Sequence, residues 1–128
     1  MKLTLQCSLY LVFIIALFTG INVLIGGASN IPGATTIASA AIDSELRCLS
    51  IFWIAYGVFC FWVARDIDGR SHFIPIIALV MLLSGLARLL SLILVGLPGI
   101  ALIFAMIIEF ILFVLLYSSY KAWKKTRS

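Results

Sequence analysis

The sequence predicts an all-α protein, a four-transmembrane-helix bundle with both N- and C-termini cytoplasmic, and three observations carry that expectation. Of the 128 residues, 64% are hydrophobic and only 11% charged, with a mean hydropathy of +1.24. That leaves too little polar surface for a soluble domain of this length. The apolar residues gather into four runs, each near the roughly 20 residues a helix needs to cross hydrocarbon. Lysine and arginine stand at alternate ends of those runs, the pattern of the positive-inside rule.

The helices are expected at about residues 3–27, 44–64, 73–95 and 99–120, forming a single membrane domain over 1–128. The first run, with Lys2 ahead of it and Gly27, Ala28 and Ser29 behind, shares the layout of a secretory signal. It exceeds the usual apolar stretch of about 7–15 residues and three further spans follow, so a retained helix is expected. The connection from Gly26 to Thr36, which includes Ala34 and Thr35, is rich in Gly, Pro, Ser and Thr and reads as a loop. Either a cap over the bundle mouth or a plain linker satisfies it. The run from Arg65 through Asp66 and Asp68 to Arg70 is too short for a cation-binding loop and reads as a solvated turn.

Lys2, Arg65, Arg70, Lys121, Lys124, Lys125 and Arg127 all fall on the cytoplasmic side if the N-terminus is inside. Residues 28–43 and the tight turn Gly96, Leu97, Pro98 carry no Lys or Arg and belong outside. Trp62, Tyr117, Tyr120 and Trp123 sit where an aromatic belt would meet the inner interface. Gly26, Pro32 and Gly33 after the first run echo Gly96, Pro98 and Gly99 after the third, either through a parallel repeat of helix pairs or by chance.

Three charges interrupt the apolar runs: Arg47, Arg88 and Glu109. Each costs roughly 2.5–3.5 kcal/mol on insertion scales, so such residues face partners or wet cavities rather than lipid. With 1.5 Å of rise per residue, Asn22, Arg47 and Ser91 lie about 6–8 Å below the outer boundary, Ser50 and Arg88 about 10 Å, and Glu109 about 15 Å. Helical spacing places Arg47, Ser50, Ile54 and Gly57 on one face, Ala78, Met81, Gly85, Arg88 and Ser91 on a second, and Ala16, Thr19, Asn22 and Gly26 on a third.

Two readings are open for Arg88: a structural ion pair with Glu109 that fixes helix packing, or a cationic pocket whose planar fork of donors suits a carboxylate, phosphate or quinone-like headgroup. Snorkelling to the outer interface is a third. Arg47 stands in the first turn of its predicted helix, where the macrodipole disfavours a cation, so a compensating anion is expected. Asp43 and Glu45 are the local candidates, although Glu45 and Arg47 point to nearly opposite faces. Glu109 is either the partner of Arg88 or a proton carrier.

His72 is the one histidine, and Cys7, Cys48 and Cys60 lack ligand spacing, so no metal and no cofactor is expected, and no nucleophile is evident. The net charge of +4 lies at helix ends and the C-terminus, which argues against a nucleic-acid partner.

The combination of Asp43, Ser44, Glu45, Leu46 and Arg47 with Phe52, Trp53, Gly57, Arg65 and Asp66, then Ser84 to Ser91, Gly96 and Glu109, resembles a bacterial family of small four-helix integral membrane proteins. That family is catalogued as a domain of unknown function, and it is distantly similar to the DoxX-like group at the level of fold. The resemblance implies a multi-pass protein of the bacterial inner (cytoplasmic) membrane and implies no activity. Together these readings predict a non-enzymatic binding or accessory protein. Its outer-leaflet pocket would consist of Arg47, Arg88 and Glu109, with Glu45, Asn22, Ser50 and Ser91 around it. The expected partners are the lipid bilayer, a lipid, quinone or other amphiphile, and a homodimer mate or membrane-protein partner. A small proton-coupled transporter using Glu109 is the alternative.

Overall fold

The chain turns each apolar run into a helix. The structure, a computed structural model, describes residues 2–33 and 38–127. It consists of α1 (Lys2–Gly26), α2 (Ala40–Ala64), the one-turn α3 (Ile67–Arg70), α4 (Ile74–Leu94) and α5 (Ile100–Arg127), with no strand among the described residues. Ala34, Thr35 and Thr36 of the expected loop lie outside the described residues. Four of the helical spans are long and apolar enough to cross a membrane. The start of α1, the end of α5 and α3 share one end of the bundle, the terminal end; the connections α1–α2 and α4–α5 form the other, the hairpin end.

Two boundaries differ from the sequence expectation for local reasons. α2 begins at Ala40, four residues before Ser44, because the Ser39 hydroxyl accepts the Ile42 amide at 3.3 Å and caps the helix. α5 continues past Tyr120 to Arg127, since Lys121, Ala122, Lys124 and Lys125 favour helix and no Gly or Pro interrupts them. Pro75 stands in the first turn of α4, where an amide would have no helical partner in any case.

Packing is most extensive between α1 and α2 and next between α4 and α5, with α1 also meeting α5. The bundle is thus two hairpins laid together. A Cβ on Gly57 would stand 2.8 Å from Ala16 Cβ, and one on Gly20 would stand 3.2 Å from the Ser50 carbonyl oxygen, so these glycines set the close approach of α1 and α2. The contact runs along Leu5, Leu9, Val12, Ala16 and Gly20. It therefore steps by four residues from Ala16 to Gly20, and the expected continuation through Thr19 and Asn22 is displaced to the exposed face.

Large buried side chains gather in the terminal half, where Leu9, Val12, Val63, Ile67, Ile74, Met81 and Leu116 meet. Polar clamps close that end. Lys2 pairs with Asp68 at 2.8 Å, Gln6 donates to the Ala64 carbonyl at 3.0 Å, and Arg70 donates to the Trp62 carbonyl at 2.6 Å with its guanidinium 4.0 Å from the Trp62 ring centre. Asp66 accepts the Gly69 amide at 3.1 Å and caps α3. In the hairpin half the buried positions are small or polar: Ala16, Gly20, Gly27, Ala28, Ser50, Gly85 and Glu109. In the apolar 18-residue stretch of each span only 17–22% of the residues are buried, which leaves much of that apolar surface available to lipid.

Replacing Gly57 with valine forces α1 from α2 or Ala16 out of place. A loss of about 1–3 kcal/mol in stability is expected. Thermal unfolding in detergent reads it, and an unchanged transition would contradict the close approach.

Candidate functional site

At the hairpin end the polar residues form two bonded stations. The first begins where the chain leaves α1 through Gly27, whose φ of +67° is a conformation that favours glycine. The turn aims the Ala28 amide at Asp43, whose Oδ1 accepts it at 2.8 Å. The other oxygen of Asp43 accepts Arg47 Nε at 2.8 Å, one helical turn along α2. Arg47 Nη1 then donates to the carbonyls of Leu24 at 2.8 Å and Ile25 at 3.1 Å. Those carbonyls lie in the last turn of α1, where helical partners run out and the dipole end is negative. Arg47 is therefore a clasp that caps α1 from α2.

The early start of α2 corrects the expectation for this residue. Arg47 falls in the second turn, and Asp43 in the first turn is its counter-ion. Glu45 is exposed and takes no part in the clasp. The Ser50 hydroxyl is buried and donates to the Arg47 carbonyl at 2.6 Å.

Asn22 belongs to the same side of the molecule. Its side-chain amide donates to the Asn30 carbonyl at 3.1 Å, and Asn30 Nδ2 returns bonds to the Asn22 carbonyl at 3.0 Å and Oδ1 at 3.2 Å. The two amides sit at the rim of an open groove of about 480 Å³ walled by Ile14, Leu17, Phe18, Ile21 and Ile25. The groove is roomy, yet its walls are apolar and its amides engage each other. It offers no charge to a ligand.

The second station lies between α4 and α5. A Cβ on Gly85 would stand 3.0 Å from Phe110 Cε1, so the missing side chain lets Phe110 lie against α4. That contact brings Arg88, one turn beyond Gly85, to Glu109, the neighbour of Phe110. Arg88 Nε donates to Glu109 Oε1 at 2.8 Å. The long arginine bridges a depth difference of about one turn.

The two partners are unequally placed: the Glu109 side chain is 8% exposed and that of Arg88 40%. Glu109 Oε2 is buried with no hydrogen-bond partner. Tyr56 of α2 donates to the Ile77 carbonyl at 2.8 Å and stands close enough to Glu109 to feel its charge. Arg88 opens onto a cleft of about 110 Å³ lined by Ser91 and Leu92 of α4, Pro98 of the turn, and Leu102, Ile103 and Met106 of α5.

Of the sequence-selected residues, Arg88, Glu109 and Ser91 thus fall together on the α4–α5 side. Arg47, Ser50 and Asn22 fall on the α1–α2 side. Among the described residues no hydrogen bond or ion pair links the two sets. Tyr56 and Asn30 escaped the sequence reading. Tyr56 had a usable signal, since a phenol at mid-span must find an acceptor; Asn30, in a loop, had none. Trp53 likewise donates from Nε1 to the Thr19 hydroxyl at 2.8 Å and ties α2 to α1. Among the described residues no group of His, Cys, Asp and Glu is placed to hold a metal ion.

Membrane-length helices arranged as two hairpins, with a charged pair joining the helices of one of them, define a small helical multi-pass membrane protein. Residues 4–120 match the family described as Domain of unknown function (DUF4345), and the chain belongs to that family. No curated protein and no solved structure matches the chain.

Asp43→Asn removes the anion of the clasp while leaving the α4–α5 pair untouched. Hydrogen exchange at Ala28 and the end of α1 is expected to accelerate about tenfold through local opening, with α4 and α5 unchanged. Equal acceleration in both hairpins would show that the two stations act as one.

Proposed function

We propose that this chain is a non-enzymatic binding or accessory protein of the membrane, and that its α4–α5 cleft holds the anionic oxygen of an amphiphile's headgroup. One observation carries the reading. Arg88 uses Nε for Glu109, and among the described residues no other hydrogen bond engages its guanidinium, which borders the cleft. A guanidinium offers five donors in a planar fork, which suits phosphate or carboxylate oxygens. The Ser91 hydroxyl at the same cleft adds a donor or acceptor.

The cleft volume supports a headgroup rather than a whole ligand. About 110 Å³ falls well short of the roughly 300 Å³ at which sites for drug-sized molecules begin. The apolar tail would lie outside, along the exposed Ile93, Leu97 and Ile100. A carboxylate from a homodimer mate or another membrane protein has the same chemistry and is the competing occupant. In this reading Lys2, Arg65, Arg70 and the lysines of α5 face the cytoplasm, so both termini are inside and the cleft opens to the outer leaflet of a bacterial inner membrane. Kinship to DoxX-like proteins enters at the level of fold alone.

A second reading draws on the orphaned Oε2, since a carboxyl that exchanges protons would suit a small transporter. Glu109 is, however, the sole carboxylate near mid-span in the sequence, and no second acid stands there to relay from it. Binding is therefore the stronger reading.

Native mass spectrometry of protein extracted gently from its own membrane tests the proposal. The unaltered protein should retain an amphiphile, and Arg88→Gln, checked for helix content, should reduce occupancy about tenfold or more, the range expected for charge-assisted hydrogen bonds. Equal retention by both proteins, or a bare protein in both, would refute the headgroup site.

A further inference from the structure

We infer that the Arg88–Glu109 cleft takes a zwitterionic headgroup, one that joins an anionic oxygen to an ammonium bearing N–H donors, as an aminophospholipid does. The inference rests on the headgroup reading above and narrows its ligand class.

Charge balance supplies the first argument. Arg88 and Glu109 together are neutral, and no other ionised side chain lines the cleft among the described residues. From α2 the nearby ionisable groups are Tyr56 and, one turn on, Cys60, which are neutral in their protonated forms; Lys2, Cys7 and Tyr10 of α1 lie toward the terminal end, and from Leu11 to Gly26 that helix carries no ionisable side chain. An anion entering alone would leave the buried site with a net negative charge, and a cation alone with a positive one. A buried charge without compensation is heavily penalised, whereas a zwitterion leaves the sum at zero.

The second argument is the unpartnered oxygen. Glu109 is more than nine-tenths buried, and its Oε2 receives no hydrogen bond because Arg88 reaches the carboxylate through Nε alone. Buried carboxylate oxygens ordinarily have donors, and an exception calls for one. Guanidinium groups only donate and carboxylates only accept. The pair therefore presents both complements at one place: donors for a phosphate and an acceptor for an ammonium.

Binding then proceeds as an exchange of partners. The phosphate draws the 40% exposed Arg88 side chain toward the cleft, and the ammonium of the same headgroup takes over Glu109. One ion pair becomes two, held in the α4–α5 interface. Glu109 stands one turn below Met106, a cleft-lining residue, and does not itself line the cleft, so the exchange requires Arg88, which lines it and holds the carboxylate, to swing aside. The exposed Ile93, Leu97 and Ile100 beside the turn identify the source as a lipid, whose acyl chains need that apolar flank.

The test uses nanodiscs holding equal parts phosphatidylethanolamine, phosphatidylcholine and phosphatidylglycerol, with bound lipid read by native mass spectrometry. Phosphatidylcholine carries the positive charge without an N–H donor; phosphatidylglycerol carries donors without the positive charge. The unaltered protein should retain phosphatidylethanolamine about tenfold over either, equivalent to about 1.4 kcal/mol. Glu109→Gln should bring phosphatidylethanolamine down to the level of phosphatidylcholine. Retention of phosphatidylglycerol above the others, or of all three alike, by the unaltered protein overturns the zwitterion inference while leaving the Arg88 site standing. Equal retention by the unaltered protein and Arg88→Gln removes the headgroup reading and this inference together. The comparison among lipids needs no variant, so a poorly folding Glu109→Gln does not blunt it.

Discussion

A guanidinium held in hydrocarbon needs a counter-charge or a set of acceptors within its own reach, and the hairpin end of this protein is arranged around that need. Arg88 meets it through Glu109 across the α4–α5 interface, at 2.8 Å. Arg47 meets it differently, through Asp43 on its own helix and two carbonyls at the end of α1. The consequences run outward from these contacts. Gly85 must lack a side chain so that Phe110 and Glu109 can approach α4, and Gly27 must adopt positive φ so that Ala28 can reach Asp43.

The two arginines consequently have opposite characters. Arg47 has its donors directed at fixed protein acceptors and acts as a rivet between α1 and α2. Arg88 has a single partner and a free edge, and its partner has a free oxygen. A pair with unused capacity on both members is a poor design for stability alone, because a buried ion pair offsets its desolvation only when the remaining donors and acceptors are satisfied. That asymmetry is what makes the α4–α5 cleft the functional candidate. The terminal half supplies the rigidity, with its large side chains packed and its polar clamps closed.

Much of the bundle was legible in the sequence, because length and hydropathy determine which segments cross hydrocarbon and Gly, Pro and Ser mark where they stop. The Arg88–Glu109 contact was one of three readings the sequence left open for Arg88, beside a ligand pocket and snorkelling, and the 2.8 Å bond shows the contact without deciding what the pair is for. Rotation of the helices was harder to read. Thr19 and Asn22 fit the spacing from Ala16, but Gly20 fits it equally and lets Ile54 come closer, so packing rather than periodicity chose the face. The role of Arg47 depended on Ser39 and Ala40 starting α2 early, a capping effect of one hydroxyl on one amide. The loop partner Asn30 and the unpartnered oxygen of Glu109 are properties of three-dimensional placement, with no local pattern to announce them.

The central claim is that Arg88 and Glu109 act as one unit, and a double-mutant cycle on unfolding stability tests it most directly. Arg88→Gln and Glu109→Gln should each destabilise the protein, and the double variant should recover part of the loss, with a coupling of about 1–3 kcal/mol. Strictly additive losses would contradict the account, for they would mean that each residue meets its own separate partner and that Arg88 borders the cleft without a paired charge.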